Sequence, residues 1–136
     1  METLNNYPGL RNSSLLMEEL ASKKNFSHIT TAGDNFYDDG IEDITKLFKP
    51  WLVTRMFNKA YTGQLKIYPT LGNHDCHIDY TNEIKYSKIN EHWEMENDYY
   101  ELSTPLRDNS QKNFVNLMVN TCKVLCSNSK WTLRYQ

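Results

Sequence analysis

The 136-residue chain has little of what marks several common protein classes. Neither sign of charge is in excess. Fifteen Lys and Arg face 17 Asp and Glu, a net −2 at neutral pH, so the electrostatics point to no nucleic acid or other polyanion. No apolar run approaches the roughly 20 residues needed to cross a bilayer, and no membrane insertion is expected. Met1 to Ser14 is polar and holds no apolar core of a signal peptide. The three cysteines, Cys76, Cys122 and Cys126, make an odd count without zinc-like spacing, so neither a disulfide framework nor structural zinc is expected. Two Asn-x-Ser sequons, at Asn12 and Asn25, are about what an Asn-rich composition produces by chance. There is no internal repeat and no low-complexity linker.

What is present is core material in an α/β order. Aromatic residues make up 12% of the chain, ample for one domain. Asn12-Ser13-Ser14 offers a helix N-cap, and Leu15, Leu16, Met17, Leu20 and Ala21 after it share a helical face. Lys23 and Lys24 suit the end of that helix, where cations oppose its dipole. Phe26 to Ala32 is aromatic and β-branched, which predicts a buried strand. Ile41, Ile44, Leu47 and Phe48 recur at helical spacing until Pro50, and Trp51 to Tyr61 predicts a second helical stretch. Leu65 to Leu71 reads as a strand whose end Pro69 demotes to an edge or exit. Tyr99 to Leu102 and Phe114 to Val119 are further strand candidates.

Each of the first two strands runs into a polar loop. In α/β sheets, ligand sites form just beyond the carboxyl ends of strands. The first loop is Gly33-Asp34-Asn35-Phe36-Tyr37-Asp38-Asp39-Gly40 and the second is Gly72-Asn73-His74-Asp75. A Gly before Asp34 lets the chain turn sharply, so that the carboxylate points over the sheet edge. An Asn carbonyl is a neutral, hard ligand, and imidazole is the natural group for proton transfer near neutral pH. A following carboxylate can hydrogen-bond that imidazole and fix its orientation. Alone, either loop reads equally as a polar turn. Together, one offering Asp and Tyr and the other Asn and His, they match two edges of one dinuclear metal centre.

The segments Gly33 to Ile41 (GDNFYDDGI) and Gly72 to Asp75 (GNHD) resemble two sequence blocks of the calcineurin-like metallophosphatases. Tyr37, three residues after Asp34, together with Ile84 to Ile89, His92-Trp93 and Tyr99-Tyr100, is similar to the purple acid phosphatase branch, in its short tartrate-resistant type. The resemblance runs from Leu15 to Ser129. It implies an irregular segment over 1–14, a partial metallophosphatase domain over 15–129 and a tail over 130–136. The implied fold is a partial four-layer α/β/β/α arrangement with a βαβαβ sheet unit, lacking the family's first strand and C-terminal half.

Roles follow from the resemblance residue by residue. Asp34 matches the carboxylate that bridges two metals, Tyr37 the phenolate ligand of a ferric ion, and Asn73 the amide ligand of its divalent partner. His74 matches the histidine that contacts phosphate and protonates the leaving alcohol, with Asp75 as its hydrogen-bonding partner. The implied cofactor is a dinuclear centre of Fe(III) with Fe(II), Zn(II) or Mn(II). The implied reaction is two-metal hydrolysis of a phosphate monoester, in a protein that is secreted or lysosomal.

The chain also departs from the pattern. The family's first Asp-x-Gly or Asp-x-His strand is not found before Leu15, and no later lone His or Gly-His-x-His follows. Cys76, Ile78-Asp79 and Asn120 replace more usual residues. His28 reads as a core or edge residue, His77 as a surface residue sooner than a site residue, and His92 receives no ligand role. Two functional readings follow: an acid phosphatase of which this chain is a fragment, or an inactive relative acting as a metal- or phosphate-binding or interaction module.

Overall fold

The computed structural model describes residues 4–46, 55–107 and 110–120. A 3-10 turn over Leu4–Asn6 leads into helix α1, Pro8–Lys23. Strand β1 is His28–Thr31 and strand β2 is Lys66–Pro69, preceded by a 3-10 turn at Thr62–Gln64. Helix α2 is Thr81–Tyr86, followed by β3, Tyr100–Pro105, and β4, Asn113–Met118. Among the described residues no helix is long and apolar enough to cross a membrane.

The α/β class expected from the element order is what the chain adopts. Strands β1 and β2 pair in parallel, His28 opposite Lys66 through Thr31 opposite Pro69. Beyond β2, Trp93 forms a one-residue parallel bridge to Ile67, with Ile67 N–H donating to His92 O (2.7 Å) and Glu94 N–H to Ile67 O (2.8 Å). Pro69, which lacks an N–H, ends β2 where no ladder bond is needed from it. Strands β3 and β4 make a separate antiparallel pair, Tyr100 opposite Met118 through Pro105 opposite Asn113.

The core lies on one side of β2. Phe36, Ile41, Ile67, Leu71, Tyr86, Trp93 and Met95 form one buried cluster, and Trp93 is fully buried at its centre. Its ring lies 5.3 Å from Phe36 and 5.8 Å from Tyr86. Edge-to-face and tilted contacts of this kind favour the opposed charge of ring edge and ring face. Phe36 belongs to the first polar loop, so the core reaches directly beneath the candidate site.

Several expectations are corrected. Helix α1 starts at Pro8, well before Asn12, because proline fits the first helical position, where no intrahelical N–H partner exists. The first turns of α1 therefore occupy part of the segment expected to be irregular. The helix also docks by polar residues, not by its leucines. Ser14, fully buried, donates to Met56 O, and Glu18 accepts from Tyr61 N–H (2.9 Å), Thr62 N–H (2.9 Å) and Thr62 Oγ1 (3.0 Å). Leu15, Leu16 and Leu20 are exposed.

Residues 41–46 are not helical. The Asp43 carboxylate accepts from Thr45 N–H (2.9 Å) and Thr45 Oγ1 (2.7 Å), a local bond that competes with helix formation. Leu47, Phe48 and 51–54 of the expected helices lie outside the described residues, and only residues 55–57 of the second stretch are seen as helical. Strand β1 is shorter than Phe26 to Ala32, and only half-buried. Finally, Cys76 is disulfide-bonded. An odd cysteine count allows one bridge with one thiol left over. The chain's other cysteines, Cys122 and Cys126, lie outside the described residues. Because a disulfide sulfur carries no proton, the 3.8 Å approach of Cys76 Sγ to Asn120 Oδ1 is a contact and not a donated bond.

Candidate active site

Both polar loops leave the carboxyl ends of the neighbouring parallel strands and meet over the sheet edge. Their approach depends on glycine. A β-carbon on Gly33 (φ 93°) would lie 2.6 Å from Gly72 N, and one on Gly72 would lie 2.1 Å from Asp34 Oδ1. Gly40 (φ 74°) lies equally close to the Asp75 carbonyl, 2.7 Å from its would-be β-carbon. Asp34 itself has a positive φ of 53°, a conformation that Asp tolerates better than most side-chain-bearing residues.

Asp34 is the point of convergence. Its Oδ2 accepts from Tyr37 Oη (2.9 Å) and its Oδ1 from the His74 N–H (3.2 Å). The bond to Asp34, with desolvation and then the Asp34, Asp75 and Asp38 charges, raises the Tyr37 pKa, so the phenol holds its proton here. His74 stacks on Tyr37, ring centres 4.4 Å apart, and its Nδ1–H donates to Asp38 O at 2.6 Å. That bond sets the tautomer in which Nε2 is the nitrogen left for proton transfer. Asn73 is exposed and lies between Gly72 and His74, both of which touch Asp34.

Asp75 does not orient His74 as expected. It is fully buried, and its oxygens accept from Phe36 N–H (3.1 Å), Gly72 N–H (2.8 Å) and Asn35 Nδ2 (3.2 Å). The tight crossing of the two loops brings these three donors to the carboxylate, and the Asp38 carbonyl takes its place at the imidazole. Asp75 is therefore a brace between the loops, out of reach of a substrate.

Two participants were not foreseen, and a third, His77, was expected at the surface sooner than in the site. Asn35 accepts from Thr31 Oγ1 and donates through Nδ2 to Thr70 O (2.7 Å), Asp75 Oδ2 and Glu83 Oε2 (3.2 Å). Glu83, on α2, is fully buried, and its Oε1 receives no hydrogen bond. Desolvation first, then the Asp75 charge and a hydrogen bond to Asp75, outweigh Asn35 and push Glu83 up to about 10. A neutral Glu83 that donates toward Asp75 accounts for both the orphaned oxygen and the close carboxyl pair. His77 is the third. Its ring lies 4.8 Å from that of His74 and its Nδ1 is 3.0 Å from Asp39 Oδ1, so it borders the site and is not a remote surface residue.

His28 stands on the sheet, as expected. His28 bonds Ser27 Oγ (2.8 Å) and meets Tyr68 edge-on, on the sheet and away from the loops. His92 lies 3.7 Å from Glu91. Among the described residues, no group of three or more His, Cys, Asp or Glu side chains is arranged to hold a metal ion.

A carboxylate loop and a Gly-Asn-His-Asp loop crossing at the ends of adjacent parallel strands define a metallophosphatase type of site. The chain belongs to the calcineurin-like phosphoesterases, whose pattern it matches over residues 7–130. Phosphoester hydrolysis assisted by divalent metal ions is the chemistry of that family. Over 74 residues the chain is 31% identical to human tartrate-resistant acid phosphatase type 5. That match covers 54% of this chain and 23% of the human protein, so it spans about a quarter of the relative's length.

Proposed function

We propose that this chain carries part of the active site of an acid phosphatase-type hydrolase of phosphate monoesters. The supporting observation is the convergence of both loops on one carboxylate: Tyr37 from the first and His74 from the second are bonded to Asp34. Two hard oxygen donors 2.9 Å apart suit a highly charged cation better than a soft one. Asp34 and Tyr37 would hold the ferric ion, with Asp34 shared and Asn73 serving a divalent partner, Fe(II), Zn(II) or Mn(II). When bound, such a pair supplies Lewis acidity toward the phosphoryl oxygens.

The chain's own contribution is orientation and proton transfer. Asp38 O holds His74 by Nδ1, so that in the doubly protonated ring Nε2–H can hydrogen-bond the phosphate and deliver its proton to the departing alkoxide. Asp75 and Asn35 hold the two loops in contact. Cys76's disulfide fits an oxidising compartment, secreted or lysosomal.

A second reading is binding of metal or phosphate without turnover, favoured by the small set of ligating side chains among the described residues. One experiment separates the two. The full chain is loaded with iron, and visible absorption and p-nitrophenyl phosphate hydrolysis are recorded. A tyrosinate-to-iron band abolished by Tyr37→Phe, with hydrolysis abolished by His74→Ala and Asp34→Ala, establishes the phosphatase. The band without hydrolysis establishes the binding module, and neither signal overturns both.

A further inference from the structure

A fully buried carboxyl on a short helix, with no basic side chain against it among the described residues, needs a reason to be there. Burying Glu83 is unfavourable unless its polar atoms are used. Helix α2 grips the first loop at two consecutive positions. Asn82 Nδ2 donates to Ile41 O (2.9 Å), and Glu83 Oε2 accepts from the Asn35 amide (3.2 Å). That same amide donates to Thr70 O, at the exit of β2, and to Asp75 Oδ2 of the second loop. Asp75 in turn holds the Phe36 and Gly72 N–H groups. Glu83 is thus the member of this network that α2 supplies, from outside both loops.

We infer that Glu83 is a positioning residue for the site: it locks the Asn35 amide, and through it the register in which Asp34 and His74 meet. Its connection to phosphate chemistry rests on the function proposed above. The clamp itself does not. A side chain that merely filled space on α2 would support all neighbouring structure alike. A clamp acting through Asn35 supports the loop amides selectively.

Amide hydrogen exchange on the full chain tests this without metal or turnover. The reporters are the N–H groups of Phe36 and Gly72, held by Asp75, and of His74, held by Asp34. The control is Ile67 N–H, held by the His92 carbonyl in the sheet. Glu83→Leu should speed exchange of the three loop amides by about tenfold or more, with Ile67 changed by less than about twofold. Glu83→Gln keeps an oxygen for Asn35 and offers Asp75 an N–H in place of the carboxylic O–H, so it should restore slow exchange.

Acceleration of all four amides together, or of none, in Glu83→Leu overturns the proposal, as does failure of Glu83→Gln to rescue. If Glu83→Leu loses its circular-dichroism spectrum, Asn35→Ala decides. It should free the same three amides, and unchanged exchange there overturns the clamp. Should the iron-loaded chain prove inactive while this exchange pattern holds, the phosphatase reading fails and the clamp stands.

Discussion

Gly72 and Asp34 lie in such close contact that a β-carbon on Gly72 would fall 2.1 Å from Asp34 Oδ1 and 2.3 Å from the Asp34 nitrogen. The obstacle includes backbone, so a rotamer change cannot relieve it. Gly72→Ala therefore has to separate the loops. Overpacking of this type costs about 1–3 kcal/mol, and the expected signature is a lowered urea midpoint with the His74-to-Asp34 bond lost. An NMR spectrum in which the His74 amide keeps its wild-type shift and exchange would contradict the close approach.

Glu83 sets a pH dependence whose sign follows from its environment. Its folded pKa, about 10, lies above the ordinary 4.5, so between those values the folded chain holds a proton that the unfolded chain has released. Stability from this group is complete below about pH 4.5 and is lost as pH rises toward 10, at up to about 1.4 kcal/mol per pH unit. Asp79 and Asp43, whose pKa values are lowered chiefly by bonds from Thr81 and Thr45, act oppositely and lose their contribution as pH falls below the carboxylate range. Maximum stability should lie on the acid side of neutrality. Urea unfolding across pH 5–9 should show a falling limb that is flattened in Glu83→Gln. An equal slope in both proteins would remove Glu83 as its source.

The parts legible in the sequence are those set by short-range chemistry. Gly33 before Asp34 and Gly72 before Asn73 announce turns at strand ends, and both loops stand there, with Asp34 and His74 in contact. The α/β order and the β3 and β4 candidates were legible for the same reason: alternation and β-branched content are local properties. What was not legible depends on tertiary choice. Which donors reach Asp75 is decided by the approach of the loops, not by its place after His74. Helix α2 spans only six residues, too few for periodicity to mark, so Glu83 gave no signal beyond sharing a face with Tyr86 three residues on. At Asp43, two bonds from Thr45 to its carboxylate outcompeted a helical pattern.

Helix α1 offers a test of polar against apolar docking. Glu18 receives three hydrogen bonds from Tyr61 and Thr62, whereas Leu16 is 56% exposed. Desolvation raises the Glu18 pKa, but the Thr62 and Tyr61 bonds outweigh it and leave the value lowered. Glu18→Ala should make α1 susceptible to limited proteolysis, and lowering pH through the Glu18 titration should do the same in the wild type. Leu16→Ala should change stability by no more than about 0.5 kcal/mol. Greater sensitivity to Leu16→Ala than to Glu18→Ala would mean that the helix docks by its leucine face.

Trp93 joins the core to the site. Its side chain is fully buried against Phe36 and Tyr86, and its Nε1–H donates to the Glu83 carbonyl at 3.2 Å. Phe36 lies one residue after Asn35 and one before Tyr37, so packing on Trp93 is transmitted to the first loop. Trp93→Ala removes an aromatic ring from a packed cluster and should cost about 3–5 kcal/mol. Trp93→Phe retains part of the packing and loses the bond to Glu83, so its cost should be smaller and should include looser anchoring of α2. The measurements are the urea midpoint for both variants and the exchange rate of the Ser87 amide, which is held by Ile84 O at 3.2 Å at the end of α2. In Trp93→Phe that amide should exchange faster than expected from the global loss alone. Exchange that simply tracks global stability would mean that the indole bond does not anchor α2, leaving Trp93 as packing and nothing more.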